Sequence, residues 1–113
     1  MDIKLIREDP ETVRRNLMRR QDPEKLALLD QLIAADGRWR ELTTRVNSLR
    51  RRRNEISSKI SGVIRVGGDA SPLKEEAAQI PKLIREAEEE RDRYAEQMRY
   101  ALMRLPNHLH ESV

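Results

Sequence analysis

Four consecutive arginines, Arg50 to Arg53, are the residues whose type and spacing most directly suggest chemistry in this sequence. A guanidinium group binds phosphate or carboxylate through paired N–H donors, and it stays charged at every physiological pH. The run therefore has two alternative roles. It binds the phosphates of a nucleic acid, or it forms one side of a set of salt bridges that stabilises the fold. The acidic residues opposite each arginine decide between them.

Other candidate chemistry is sparse. His108 and His110 alternate in a predicted extended tail, so we expect no metal site there. Gly67 and Gly68 lack the lysine and the preceding strand of a phosphate-binding loop. The chain has no Cys, which excludes disulfides and thiolate metal sites, and no apolar run reaches the ~18 residues of a membrane span. The sequence predicts no catalytic residue, cofactor or metal in this chain, no membrane segment, and a cytoplasmic location.

The composition indicates a thin helical protein. The 113 residues allow one domain; 38% of them are charged, and only three are aromatic. A seam between two helices needs less aromatic bulk than a globular core, because it uses two positions in seven. The net charge of +3 is compatible with a polyanionic partner without identifying one.

Helix start signals and heptad repeats define the predicted elements. Asp9-Pro10 and Asp22-Pro23 each combine an N-cap with a proline at the first helical position. Apolar residues then recur at alternating steps of four and three, which is the pattern of a coiled coil. The seam positions are Leu28, Leu32, Ala35, Trp39, Leu42, Val46, Leu49, Arg53, Ile56, Ile60 and Val63, followed by Leu73, Ala77, Ile80, Ile84, Ala87, Arg91, Tyr94, Met98, Ala101 and Leu105.

We therefore predict an all-α fold, in which a short N-terminal helix packs on a long antiparallel coiled-coil helical hairpin. Val13 and Leu17 of the short helix should pack against Leu26, Leu29 and Ile33. The segments are 1–21 with the N-terminal helix at about 10–20, 22–64 for the first long helix, 65–71 for the turn, 72–105 for the second long helix, and 106–113 for a linker. Ser71 is the expected N-cap of the second long helix.

Pro81 interrupts the second seam, because it removes a helix hydrogen bond and clashes with the preceding turn. Two alternatives follow. The helix kinks at Pro81, which the unbroken heptad phase favours, or a new helix starts there.

Pairing the two seams outward from the turn assigns partners to the basic residues. Arg50 faces Glu88 and Lys59 faces Glu76, so these cations should form salt bridges. Arg53 falls in the seam. Arg51 points away from the partner helix and Arg52 has only Leu83 opposite, so we predict that both bind phosphate. Arg65 near the turn, with Lys82 and Arg85 on the outer surface of the second helix, should join them.

The beginning of the chain, "DIKLIREDPETVRRNLMRR" and "DPEKLALLDQLIAADGRWRELTTRVNSLRRRRNEIS", and its end, "LMRLPNHLHESV", resemble the N-terminal tRNA-binding arm of seryl-tRNA synthetases. The resemblance covers the whole chain and is most specific at the two ends, since any coiled coil has heptads. Two departures are Leu109, where the family often has proline, and Pro81, within a helix that the family usually keeps continuous.

The resemblance implies a function for a longer protein. The arm binds the long variable arm and elbow of serine tRNA, and residues 106–113 lead towards a class II catalytic domain that lies beyond this chain. That domain attaches serine to the tRNA with ATP and Mg²⁺, usually in a homodimer. Two alternatives are a structural or adaptor coiled coil that binds protein, and a related tRNA-binding arm from another protein. An adaptor should expose an apolar stripe, whereas a tRNA-binding arm should expose unpaired cations.

Overall fold

A computed structural model describes residues 2–106, which form four helices. They are α1 (Ile3–Glu8), α2 (Pro10–Arg19), α3 (Pro23–Arg65) and α4 (Ser71–Arg104). No strand occurs within residues 2–106, and α3 and α4 pack against each other, so the predicted all-α fold is confirmed. The predictions for 107–113, including His108, His110 and most of the linker, lie outside the described residues.

Capping hydrogen bonds confirm the predicted starts of α2 and α3. The Asp9 carboxylate accepts a hydrogen bond from the Thr12 backbone N–H at 3.2 Å, and Asp22 does the same for Lys25 at 3.2 Å. Each aspartate thereby satisfies a backbone donor that has no partner inside its helix. Helix α1 was not predicted, although Asp2 provides its signal by accepting from the Lys4 N–H at 2.9 Å.

The turn after α3 is a Schellman motif. The N–H of Gly68 donates to the Val63 carbonyl at 2.9 Å, and the N–H of Gly67 donates to Ile64 at 3.0 Å. Gly67 has a φ of 75°, a left-handed conformation that glycine adopts without strain. The prediction that Ser71 caps α4 is wrong. Ser71 is the first helical residue, and its N–H donates to the Asp69 carboxylate at 2.9 Å.

Helix α4 runs without a break from Ser71 to Arg104 and contains Pro81. The alternative in which a new helix starts at Pro81 is therefore wrong. Packing of the flanking turns holds the helix together, because Ile80 and Ile84 are both buried. Proline has no N–H, so the Ala77 carbonyl loses the donor that it would have in an uninterrupted helix.

The chain divides into two compact units, which we call the terminal unit (Met1–Trp39 and Asp92–Val113) and the hairpin unit (Arg40–Arg91). The core of the terminal unit is formed by apolar residues from all four helices or their ends. Its buried members are Ile6, Val13, Leu17, Leu29, Leu32, Ala101 and Leu105, with Leu26 and Ile33 packed against them. The predicted packing of the short helix on α3 is confirmed.

One charged pair supports this core. Asp36 is 6% exposed, and the Arg7 Nε donates to both of its carboxylate oxygens, at 3.0 and 3.1 Å. This hydrogen bonding raises the pKa of Arg7. A buried carboxylate is unfavourable without such a partner, so the contact ties α1 to α3. Trp39, expected in the seam, is half-buried.

The seam of the hairpin unit follows the predicted heptads. Leu42, Val46 and Ile56 of α3 are buried, and so are Ile80, Ile84 and Ala87 of α4. Arg53 was also predicted in the seam, but its side chain is exposed, unlike those of the buried seam residues.

Candidate nucleic-acid interface

The net positive charge of the protein lies in the hairpin unit. Residues 40–91 contain twelve Lys and Arg against nine Asp and Glu, which gives +3, whereas the terminal unit has eleven of each. Within the hairpin unit, residues 40–65 carry eight basic and two acidic side chains, and residues 71–91 carry four basic and six acidic. The α3 part of the hairpin therefore attracts anions, whereas the α4 part has a small acidic excess.

Arg50 forms the salt bridge that the seam pairing predicted. Its Nη2 lies 3.2 Å from the Glu88 Oε1, and both side chains are partly exposed. The contact confirms the antiparallel register in the middle of the hairpin unit. Arg50 thus contributes to holding α3 against α4, in an exposed pair of the kind that usually stabilises little.

The prediction that Arg52 lacks an acidic partner is wrong. Its Nε donates to the Glu76 Oε1 at 2.7 Å, its Nη2 donates to Oε2 at 2.9 Å, and its Nη1 lies 3.5 Å from Glu55. The paired hydrogen bonds with Glu76 raise the pKa of Arg52 and lower the pKa of Glu76. This fork-shaped geometry is the strongest form of guanidinium–carboxylate contact.

The error has a simple cause. The sequence pairing placed Leu83 opposite Arg52, whereas Glu76 lies one heptad closer to the turn on the same side of α4. A long arginine side chain spans that offset. The predicted Lys59–Glu76 bridge is replaced by Arg52–Glu76, and Lys59 acts on Glu76 only by lowering its pKa through charge. Testing each cation against acids one heptad away would have found the contact.

The other predicted residues are exposed. Arg51 lies on the surface of α3 away from the seam, and Arg65 lies in its last turn. Within residues 2–106, neither side chain forms an ion pair. Lys82 and Arg85 are exposed on α4, and the Lys82 Nζ lies 4.0 Å from Glu86.

The two salt bridges define two sides of the hairpin unit. Arg50 and Arg52 are two residues apart, which places their side chains about 200° apart around α3. We call these the Arg50 side and the Arg52 side. Arg85 lies three residues before Glu88, and therefore on the Arg50 side. The predicted residues thus do not form one cluster: Arg85 and Arg52 lie on different sides, while Arg51 and Lys82 lie on the outer surfaces of different helices.

Other kinds of site find little support in the described part of the chain. No cluster of metal-ligating side chains occurs in residues 2–106, and no helix there is long and apolar enough to cross a membrane. Across residues 40–91, exposed large apolar side chains are confined to Ile64 and Val66 near the turn. An apolar stripe of the kind expected of a protein-binding adaptor is therefore absent from the hairpin unit.

These features define a class of protein that contains a charged two-helix hairpin and a small helical core. The family model for the seryl-tRNA synthetase N-terminal domain matches residues 1–109. The chain belongs to this family, in which the domain is the tRNA-binding arm.

Relatives support the same assignment. The serine–tRNA ligase of Methanoculleus marisnigri is 49% identical over 113 residues, which are all of this chain and 27% of that protein. The corresponding protein of Methanospirillum hungatei is 48% identical with the same coverage. A crystal structure of seryl-tRNA synthetase from Pyrococcus horikoshii complexed with ATP superposes with a TM-score of 0.87 at 36% identity, over 95% of this chain and 24% of that one. This chain thus spans about a quarter of the length of these relatives.

Proposed function

We propose that this chain binds serine tRNA as the N-terminal arm of a serine–tRNA ligase, and that it contacts the long variable arm and the elbow of the tRNA. The observation that carries the proposal is the concentration of the net charge of +3 in the hairpin unit of a chain that belongs to this family. An RNA backbone presents one phosphate per nucleotide, and a surface of exposed cations binds it by releasing its counterions.

Arg51 and Arg65 are the strongest candidates for phosphate contacts. Both are exposed, both lie on α3, and neither is held by an acidic side chain within residues 2–106. They are two heptads apart, which corresponds to about 21 Å along the helix. Lys82 and Arg85 add cations on α4. Arg52 contributes differently, because a phosphate would have to compete with Glu76 for its guanidinium group.

We infer that the chemistry belongs to a further domain, which the longer relatives have room for. Since the relatives are about four times longer, we propose that a catalytic domain attaches serine there with ATP and Mg²⁺. We further propose that the enzyme is a homodimer and acts in the cytoplasm. The Pyrococcus horikoshii seryl-tRNA synthetase was crystallised as a complex with ATP, which supports the use of that nucleotide.

A binding titration tests the proposal. The chain would be titrated with serine tRNA and with a tRNA that has a short variable arm, in the same buffer and at several salt concentrations. We expect tighter binding of serine tRNA, with an affinity that falls as salt rises. Equal, weak binding of both RNAs would contradict the proposal and favour a protein-binding coiled coil.

A further inference from the structure

Carboxylates surround the guanidinium group of Arg52, although this residue lies in the most basic stretch of the chain. Its Nε and Nη2 donate to the two Glu76 oxygens at 2.7 and 2.9 Å, and its Nη1 lies 3.5 Å from the Glu55 Oε2. A carboxylate oxygen thus lies within 3.5 Å of each of the three guanidinium nitrogens. The contact of Arg50 with Glu88, by comparison, uses one nitrogen at 3.2 Å.

Glu76 occupies the donors that a phosphate would need. Carboxylate and phosphate groups both accept paired hydrogen bonds from two adjacent nitrogens of a guanidinium group. The side chains of Arg52 and Glu76 are 37% and 44% exposed, so a dissolved anion can approach the pair. A phosphate can therefore bind the Nε and Nη2 of Arg52 only by displacing the Glu76 carboxylate.

The charges around the pair keep Glu76 in its ionised form. Arg52, and to a smaller extent Lys59, lowers the pKa of Glu76, so the carboxylate is charged at neutral pH. The group formed by Arg52, Lys59, Glu55 and Glu76 has no net charge. An exposed ion pair adds little to stability, so the larger effect of Glu76 is on what Arg52 can bind.

We propose that the Arg52–Glu76 pair is an autoinhibitory contact, in which Glu76 occupies the guanidinium group of Arg52 and so lowers the affinity of the hairpin unit for RNA. This inference rests on the proposed function and concerns its regulation. A complex that uses Arg52 is weakened by the free energy of the displaced ion pair. A complex that leaves the pair intact gains no phosphate contact from Arg52. In both cases the chain binds RNA less tightly, and releases it sooner, than a chain without Glu76.

Two adjacent residues of α4 provide a matched test. Glu75 is exposed and forms no ion pair within residues 2–106, whereas Glu76 is half-buried and holds Arg52. Glu75→Gln and Glu76→Gln each remove one negative charge from the same turn. We expect Glu76→Gln to bind serine tRNA about two- to fivefold more tightly at 0.1 M salt, as for the loss of one competing exposed ion pair. Glu75→Gln should change the affinity less than about twofold.

Two further measurements separate this contact from a general effect of charge. The slope of log affinity against log salt should steepen by up to about 0.7 to 0.9 in Glu76→Gln, because Arg52 becomes free for one phosphate, and it should stay unchanged in Glu75→Gln. In the Arg52→Gln background, Glu76→Gln should have no larger effect than Glu75→Gln. Circular dichroism would show that all variants remain helical. A contact that only stabilised the fold would not give tighter binding when it is removed.

The same series is measured with polyuridylate, a single-stranded RNA, which tests the contact independently of tRNA recognition. Tighter binding of polyuridylate by Glu76→Gln than by Glu75→Gln supports the autoinhibitory contact, even if the wild-type chain does not prefer serine tRNA and the proposed function fails. Equal effects of the two variants on both RNAs would overturn it. A gain in Glu76→Gln that persists in the Arg52→Gln background would overturn it as well, because Glu76 would then act without Arg52.

Discussion

Arg51 and Arg52 are neighbours with opposite expected roles, and replacing each by glutamine should separate RNA binding from stability. Arg51 is exposed and forms no ion pair within residues 2–106, whereas Arg52 is held by Glu76 at 2.7 and 2.9 Å. Each replacement removes one positive charge from the same turn of α3. A difference between the two variants therefore reports on their contacts and not on net charge.

The magnitude for Arg51→Gln follows from counterion release. One phosphate contact contributes about 0.7 to 0.9 to the slope of log affinity against log salt, which corresponds to roughly five- to eightfold in affinity at 0.1 M salt. We expect this loss for serine tRNA with no change in the melting temperature, because an exposed, unpaired charge adds little to stability. Arg52→Gln should instead lower the melting temperature, since it removes the contact across the helix pair, and it should change the salt slope less.

The assay is a salt series of binding titrations, combined with thermal melts followed by circular dichroism. Arg50→Gln is a useful third variant, because Arg50 also bridges α3 and α4 through Glu88. Its single, exposed contact should lower the melting temperature less than the loss of the paired Arg52–Glu76 hydrogen bonds does. The opposite roles of Arg51 and Arg52 are refuted if Arg51→Gln binds serine tRNA like the wild type at every salt concentration. They are also refuted if Arg52→Gln melts unchanged and loses more of the salt slope than Arg51→Gln.

Three further predictions concern the fold. Asp36→Ala should lower the free energy of unfolding by about 1–3 kcal/mol, because it leaves Arg7 without its buried partner. A denaturant titration measures this loss, with replacement of the exposed Asp30 by alanine as the control. Equal losses of unfolding free energy in the two variants would contradict the prediction. Pro81→Ala should raise the free energy of unfolding by up to about 3 kcal/mol by restoring a helix hydrogen bond, and a loss of stability would show that proline is favourable at this position. The pKa of Glu76 lies below its ordinary value of 4.5. The stability from its contact with Arg52 is therefore present above pH 4.5 and is lost as the pH falls through the lowered pKa. The difference in melting temperature between wild type and Glu76→Gln should disappear in acid, and a difference that persists there would contradict this link between protonation and stability.

The helices were predictable because their signals are local. Asp-Pro pairs marked the starts of α2 and α3, the heptads marked the seam, and two glycines marked the turn. Helix α1 was missed because its six residues are too few for a periodic pattern. The capping of α4 was misassigned because Asp69 and Ser71 are both good capping residues, and only the backbone geometry decides which one accepts the hydrogen bond.

The candidate site was less predictable than the fold. Sequence pairing located the Arg50–Glu88 contact, since both residues lie next to the seam at the same level. It missed Arg52–Glu76 because an arginine side chain is long enough to reach acidic residues in neighbouring heptads. The conformation of the side chain determines which of them it contacts. It also missed Arg7–Asp36, since α1 itself was not predicted. The roles of Arg51, Arg65, Lys82 and Arg85 in binding stay predictions.

The central claim is that the hairpin unit binds the long variable arm of serine tRNA, and a double-mutant cycle tests it most directly. The affinities of wild type and Arg51→Gln would be measured for serine tRNA with and without its variable arm. Because both changes remove the same contacts, their effects should not add, and Arg51→Gln should have almost no effect on the shortened tRNA. Fully additive losses, or an unchanged affinity of the wild-type chain for the shortened tRNA, would contradict the account.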